Sequence, residues 1–207
     1  MKLVESSVEI LRKPNGTEIL QHIERCGRVC YKSEDKIADD SAEKFVRTLV
    51  KRGHESVLEH ASLSVRFVVD RGISHEIVRH RIASYSQEST RYCRYGDGIA
   101  VIQPPGIERG TNAYLNWYFG CQNAETAYRD MLSSGISPQI ARSVLPTCVK
   151  TEIVMTANLR EWRHFLRLRM DKAAHPQMRE IACKLYDQLV EIVPVVFEDL
   201  AGVRYAD

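Results

Sequence analysis

The stretch Ser62-Leu63-Ser64-Val65-Arg66-Phe67-Val68-Val69 contains the clearest strand signal in the chain. Apolar side chains occupy every second position, and mostly polar side chains occupy the positions between them. Side chains of a strand point alternately to its two faces, so this pattern predicts a half-buried strand. The fold is therefore expected to contain a sheet with one buried face.

Outward from this strand, helical spacing of apolar residues dominates the chain. Weaker strand patterns occur only at residues 2–12 and from Val149 to about residue 156. The polar stretch from Ser84 to Gly98 has too few aliphatic residues to form core. Helices are predicted from Thr17 to Cys30, from Asp40 to Lys51, at about 73–82, from Tyr114 to near Gly135, at 138–145, after Asn158 and from Pro176. Because strands and helices do not alternate regularly, the predicted fold class is α+β.

Two of these helices carry specific start signals. Asp40 is followed three residues later by Glu43, and Asn158 is followed three residues later by Glu161. An N-cap side chain followed by a glutamate at this spacing is typical of a helix N-terminus. Pro176 is a favoured first-turn residue and predicts the start of the last helix.

The composition is that of a globular protein. The chain has 207 residues, of which 44% are hydrophobic and 27% are charged. This size favours one domain over residues 1–207, and the net charge of +2 argues against a protein that coats nucleic acid. Neither a membrane span nor a signal peptide is expected. The six cysteines include no C-x-x-C pair, so we expect reduced thiols and a cytoplasmic location.

Arginines are concentrated in two clusters. Residues 79–94 contain four arginines and one glutamate, a local charge of +3. Guanidinium groups match phosphate oxygens, so this cluster indicates a phosphorylated small ligand, although a solvated basic loop is the alternative. The second cluster is Arg160, Arg163, Arg167 and Arg169, of which the first three share one helical face; a solvated face is again the alternative. The two clusters together could also hold an RNA backbone.

Other kinds of site are disfavoured by spacing. His75 and His80 are five residues apart, and His54 and His60 are six apart, so neither pair shares a ligand-bearing helix face and no metal is predicted. The chain has no G-x-S-x-G, G-x-G-x-x-G or G-x-x-x-x-G-K-[ST] sequence. Any nucleotide must therefore be held by arginines and helix ends.

Five ordered motifs between about residues 54 and 181 resemble those of the flavin-dependent thymidylate synthases. Arg79-His80-Arg81 followed by seven residues and Ser89 is similar to the R-H-R-x7-S signature. The remaining four are His54 to His60 (H-x-[ST]-x-x-E-H), Ala141 to Pro146 (A-R-x-x-L-P), Thr156 to Arg160 (T-x-N-x-R) and His164 to Arg169 (H-F-L-x-L-R).

The resemblance implies a curved antiparallel sheet with packed helices and an activity. Such enzymes methylate dUMP to dTMP, with methylenetetrahydrofolate as carbon donor, NADPH as reductant and FAD as redox carrier. The implied assembly is a homotetramer whose active sites are shared between subunits, with no nucleic acid or membrane partner. A related pyrimidine nucleotide hydroxymethylase, or a non-catalytic nucleotide- or RNA-binding protein, is the alternative.

The resemblance also assigns residues, position by position. Arg169 is the implied catalytic residue, beside the pyrimidine, where it favours the ionised uracil; Arg142 reaches the site from a neighbouring subunit. His54 and Tyr92 face the folate or flavin ring. The implied FAD-binding residues are Ser56, Arg79, His80, Arg81, Gln87, Asn158, Leu159, Arg160 and His164. The implied dUMP-binding residues are Glu76, Ile77, Val78, Arg79, Gln87, Glu88, Ser89, Thr90, Arg91, Arg142 and Arg169.

Overall fold

The structure, a computed structural model, describes residues 1–204. Its strands are β1 Lys2–Leu3, β2 Ser7–Ile10, β3 Ser62–Asp70, β4 Ser84–Gln87, β5 Ala100–Val101 and β6 Lys150–Asn158. Its α-helices are α1 Gly16–Tyr31, α2 Ser41–Lys51, α3 Arg71–Ile77, α4 Asn112–Ser133, α5 Pro138–Ala141, α6 Leu159–Arg169, α7 Pro176–Ile192, α8 Pro194–Phe197 and α9 Ala201–Arg204. Short 3-10 helices span Glu34–Lys36, Glu55–His60, Arg142–Val144 and Glu198–Leu200.

The main sheet has four strands in the order β2-β3-β6-β4 and is antiparallel. A separate two-stranded ladder pairs β1 with β5 in parallel, with Lys2 opposite Ala100 and Leu3 opposite Val101. The predicted α+β class is thus confirmed, as is β3 as a strand buried at every second position. The single strand predicted at residues 2–12 is wrong, because β1 and β2 belong to different sheets.

The chain divides into two compact units. Unit 1 consists of residues 1–7, 67–79 and 85–154, and unit 2 consists of residues 8–66, 80–84 and 155–207, of which the last three lie outside the described residues. Boundaries between the units fall within β2, β3, β4 and β6. The single domain expected over residues 1–207 stays a prediction.

Unit 1 has a core built around α4. Cys121 of that helix packs with Ile99, Val101, Cys148 and Val149, and Trp117 covers the same cluster. Farther along α4, a second cluster contains Tyr128, Leu132 and Ala141. The Sγ atoms of Cys121 and Cys148 lie 3.4 Å apart, and both thiols are free.

In unit 2, α1 packs on α2 and α6 packs on α7. The apolar residues of α6 are fully buried, apart from Leu168, and Trp162 donates its indole N–H to the carbonyl oxygen of Leu63 over 3.3 Å. Arg163 is also buried at 1% exposure, where it pairs with Glu55 and with both carboxylate oxygens of Asp199. A buried cation of this kind requires such partners because desolvation is costly.

The two predicted helix caps differ in outcome. Asn158 has extended backbone angles, and its side chain accepts the N–H of Glu161 over 2.9 Å, as predicted. Asp40 precedes α2 but makes no side-chain cap bond, since its ψ of 5° is not the extended conformation of an N-cap. Among residues 1–204, no helix is both long and apolar enough to cross a bilayer.

Candidate active site

A pocket of about 450 Å³ in unit 2 lies against the N-terminal half of α6. This volume is within the usual range for ligand sites. Three of the predicted FAD-binding residues, Asn158, Arg160 and His164, line it. The remaining lining residues are Glu55, Glu59, Ile82, Glu161 and Arg167.

Each arginine of this pocket is paired with an acid. Arg160 Nη1 lies 2.6 Å from Glu59 Oε1, and Arg167 Nη2 lies 2.8 Å from Glu55 Oε1. A guanidinium has five N–H donors, so each arginine keeps donor capacity beyond its ion pair. Arg163 does not line the pocket, although the sequence predicts that it shares a helix face with Arg160 and Arg167. Its guanidinium is instead paired with Glu55 and Asp199.

Behind the pocket, the imidazole of His80 contacts two side chains of α6, a carboxylate and a guanidinium. It is 4% exposed, its Nδ1 lies 3.1 Å from Oε1 of Glu161, and its Nε2 lies 3.0 Å from Nε of Arg169. A guanidinium N–H can only donate, so Nε2 must be the accepting nitrogen and Nδ1 must carry the proton. The tautomer of the imidazole is therefore determined by its two neighbours.

Burial and charge keep this imidazole neutral. Desolvation, followed by the positive charge of Arg169 and the contribution of His164, lowers the pKa of His80 from 6.5 to about 4. The ring of Phe165, whose centroid is 4.9 Å away, provides part of the apolar surroundings. Burial also raises the pKa of Glu161. At neutral pH the Nδ1–H of His80 thus donates to Glu161 without forming an ion pair.

His80, Glu161 and His164 also form the cluster of possible metal ligands in the described part of the chain, with ligand atoms within 4.8 Å of one another. A cation on His80 would need a lone pair on Nδ1 or would displace Arg169 from Nε2. A guanidinium 3.0 Å from the same ring opposes a bound cation electrostatically. The arrangement fits a hydrogen-bonded chain better than a metal site.

The other predicted FAD-binding residues of unit 2 are placed differently. Ser56 and Arg81 are exposed outside the set that lines the pocket. Leu159 is fully buried, and its backbone N–H donates to the carbonyl oxygen of Ala61. The donor set of the pocket fits FAD: guanidinium groups suit the pyrophosphate, and the Asn158 amide and His164 imidazole suit polar ring atoms.

In unit 1, the predicted dUMP-binding residues around β4 form a polar network. The amide nitrogen of Gln87 donates to Ser74 over 2.9 Å. Glu88 accepts from Lys150 Nζ at 3.0 Å and from Tyr95 Oη at 2.6 Å. Burial and then Glu88 raise the pKa of Tyr95, which therefore remains a phenol that donates.

The second part of the unit 1 set surrounds a basic residue. Arg142 Nη1 donates to the hydroxyl of Thr90 over 3.0 Å, and Thr90 is 3% exposed. The Ser89 hydroxyl accepts the N–H of Arg91. Ile77 is fully buried, Glu76 is partly buried, and Val78 and Arg79 are exposed. The role of Arg142 at a neighbouring subunit stays a prediction.

Sequence reasoning misses two carboxylates that line the pocket. It identifies Glu161 only as a capping residue and does not single out Glu55. The signal for Glu161 is its position three residues before His164, which places both on one face of α6. Its contact with His80, 81 residues away in the chain, cannot be read from local spacing.

Solved structures share the fold of this chain. The fold matches the UMP/dUMP methylase PolB from Streptomyces cacaoi, bound with 5-Br dUMP, with a TM-score of 0.82 and 23% identity over 100% of both chains. The same protein bound with 5-Br UMP gives a TM-score of 0.79. The chain thus has the fold of a nucleotide methylase.

Sequence relatives then identify the family. The "Thymidylate synthase complementing protein" family model matches residues 15–195. Flavin-dependent thymidylate synthases from Mycolicibacterium vanbaalenii and Mycobacterium tuberculosis are 36% and 34% identical, each over 89% of this chain and 81% of its own length. The chain belongs to the flavin-dependent thymidylate synthase family and is a methyltransferase, as its motifs predicted.

Proposed function

We propose that the chain methylates dUMP to dTMP, with methylenetetrahydrofolate as carbon donor and NADPH as reductant. The observation that carries this proposal is the placement of Arg169, the implied catalytic residue, on His80 of the R-H-R signature over 3.0 Å. The similarity of the fold to PolB, a UMP/dUMP methylase, supports the choice of a uridine nucleotide.

Arg169 acts on the pyrimidine by charge. Its guanidinium stays protonated, and negative charge that develops on the uracil ring is stabilised by a fixed cation without proton exchange. Because Nε is held by His80, the plane of the guanidinium is set by an atom outside its terminal fork. An ionised uracil has more electron density at carbon 5, which is where the new carbon must be attached.

Asn158, Arg160 and His164 would hold FAD, together with the other residues that the family motifs assign. When bound, FAD supplies the redox chemistry that carries reducing equivalents from NADPH to the nucleotide. The chain itself binds and orients FAD and the nucleotide and keeps water away from them. Arg160 can meet a phosphate by turning from Glu59, since that pair is exposed and weak.

For the nucleotide, Arg142, Ser89 and Thr90 supply donors suited to a phosphate. The exposed Arg142 has capacity beyond its bond to Thr90. We propose the same family assembly, a homotetramer in which Arg142 serves the site of a neighbouring subunit. A single domain over residues 1–207 and a cytoplasmic location are part of the proposal.

The first experiment is a visible difference spectrum of the FAD-loaded protein during titration with dUMP. A saturable perturbation of the flavin, absent with dCMP, is expected. Titration with UMP tests whether the ribose hydroxyl is accepted, since PolB is a methylase of both UMP and dUMP. Product analysis after turnover must give dTMP; 5-hydroxymethyl-dUMP would favour the hydroxymethylase, and absence of flavin binding would favour a binding protein.

A further inference from the structure

Glu161 has a role that helix capping does not explain. Its backbone N–H donates to the side chain of Asn158 at the helix cap. Its carboxylate points away from the cap and contacts His80. The side chain is almost fully buried, at 6% exposure for the residue. Burying a carboxylate beside a neutral imidazole costs free energy of desolvation. Helix capping does not explain why Glu161 is placed there.

We propose that Glu161 is a positioning residue that acts on Arg169 through His80. By accepting the Nδ1–H of His80, it keeps Nε2 unprotonated, and Nε2 then holds Arg169 by accepting from Nε. This proposal rests on the proposed function, because the proposed function is what places the guanidinium of Arg169 beside the pyrimidine.

The donors and acceptors around His80 determine whether it can hold Arg169. With a proton on Nε2, two donors would face each other at the 3.0 Å contact and Arg169 would be pushed away. A neutral imidazole in water exists as both tautomers, and an acceptor on Nδ1 favours the one in which Nε2 can accept from Arg169. Glu161 supplies this partner at 3.1 Å.

The arrangement also resists a second proton on the ring. Arg169 opposes an imidazolium, in keeping with the lowered pKa of His80. The ring at the centre of the chain Glu161–His80–Arg169 is therefore neutral, and the Arg169 guanidinium at one end is positive. His164 is a further ionisable side chain beside the ring, with its centroid 5.6 Å from that of His80.

The test compares Glu161→Ala and Glu161→Gln with the control Glu24→Gln. Glu24 is a buried glutamate of unit 2, 1% exposed, that bonds Arg28 and Ser41. The control therefore measures the effect of losing a buried carboxylate elsewhere. Alanine removes the acceptor from Nδ1, whereas glutamine keeps the shape and can either accept or donate.

The first readout needs neither FAD nor substrate. Long-range ¹H–¹⁵N spectra of the FAD-free protein report which nitrogen of His80 carries the proton. We expect the Nδ1–H form in the wild type and in Glu24→Gln, and a loss of that single form in Glu161→Ala. Unchanged Nδ1–H spectra in Glu161→Ala would overturn the proposal, since the tautomer would then be independent of Glu161.

The second readout is the ultraviolet spectrum of bound dUMP as a function of pH. If Arg169 is displaced, the uracil ionises at higher pH in Glu161→Ala than in the wild type. We expect kcat to fall about 10- to 100-fold, with a smaller change in KM for dUMP, and a lesser fall in Glu161→Gln. A fall in kcat that only follows the folded fraction, as in Glu24→Gln, would make Glu161 merely structural.

These outcomes are separable from failure of the proposed function. If the wild type forms no dTMP, the proposed function is wrong and with it the catalytic part of this inference. The tautomer measurement still decides whether Glu161 controls His80, because it is made without flavin or nucleotide.

Discussion

The Nε atom of Arg169 donates to Nε2 of His80 over 3.0 Å, so two residues that the sequence assigned to different ligands are coupled. The family motifs assign His80 to the flavin and Arg169 to the pyrimidine. Their contact means that a change in the imidazole alters the guanidinium as well. Substitution of His80 should therefore affect the pyrimidine site as well as the flavin site.

Replacement of Arg169 tests its role in the reaction. Arg169→Ala should lower kcat by at least about 10²- to 10³-fold while FAD stays bound, because a fixed cation is lost from the transition state. Arg169→Lys keeps the charge but lacks the planar fork and should recover only part of the rate. Steady-state kinetics and the flavin content of the purified variants measure both effects; near-normal dTMP formation by Arg169→Ala would contradict the assignment.

The pKa of His80 predicts how stability depends on pH. In the folded protein that pKa is about 4, whereas the unperturbed value is 6.5. Between these values the unfolded chain binds a proton that the folded chain does not, so stability falls as pH drops from about 6.5 to about 4. The loss is at most about 1.4 kcal/mol per pH unit.

Urea unfolding at stepped pH measures this slope. His80→Gln is the comparison, because an amide can accept from Arg169 and donate to Glu161 without titrating. Its free energy of unfolding should fall less steeply over the same interval. Equal slopes for the two proteins would assign the pH dependence to other groups.

The buried ion pairs of Arg163 predict a large loss of stability on substitution. Arg163→Met leaves Glu55 without its 3.0 Å partner and Asp199 without its bidentate partner. We expect a loss of about 3 kcal/mol. Lys184→Met, which removes an exposed pair with Glu180, should cost about 0.5 kcal/mol or less.

The same pairs predict an acid effect. Burial alone would raise the pKa values of Glu55 and Asp199. The pKa of Glu55 is nevertheless lowered, by its hydrogen bond from Arg167 and the charge of Arg163. The pKa of Asp199 is lowered by the hydrogen bond and charge of Arg163. Both contributions are complete above the unperturbed values of 4.5 and 3.8 and are lost as pH falls through the lowered ones. The difference in free energy of unfolding between wild type and Arg163→Met should therefore become smaller in acid. If denaturation midpoints differ by the same amount at every pH, the ion pairs are not the source of the difference.

Two glycines of helices should respond oppositely to alanine. A Cβ on Gly16 would overlap the carbonyl oxygen of Ile192, so Gly16→Ala should destabilise the fold by about 1–3 kcal/mol. Gly120 of α4 has open space, and Gly120→Ala should stabilise by about 0.5–1 kcal/mol. Thermal unfolding compares the pair; equal melting temperatures would contradict the close approach at Gly16.

Local signals are sufficient for much of the fold. The alternation of residues 62–69 and the Asn158 cap predict β3 and the start of α6 correctly, because both depend on neighbours within a few positions. β4 escapes prediction because Ser84-Tyr85-Ser86-Gln87 has no apolar alternation and is a strand only through pairing with β6. The helix predicted to about residue 82 ends at Ile77, before the R-H-R signature.

The candidate site is predictable in its residue types but not in its contacts. The motifs name Asn158, Arg160 and His164, which line one pocket. The acids that pair with the pocket's arginines cannot be identified from sequence, since Glu59 lies 101 residues from Arg160 in the chain. Long-range pairing of this kind depends on the fold and leaves no local periodicity.

The two tryptophans of the chain are divided between the units, Trp117 in unit 1 and Trp162 in unit 2. Each unit therefore contains its own intrinsic fluorophore, and Trp117→Phe and Trp162→Phe yield proteins whose emission follows one unit at a time. Coincident unfolding curves would make the chain a single cooperative domain, and separate midpoints would make the units independent. The distribution of these two indoles thus provides a spectroscopic measure of cooperativity without any added label.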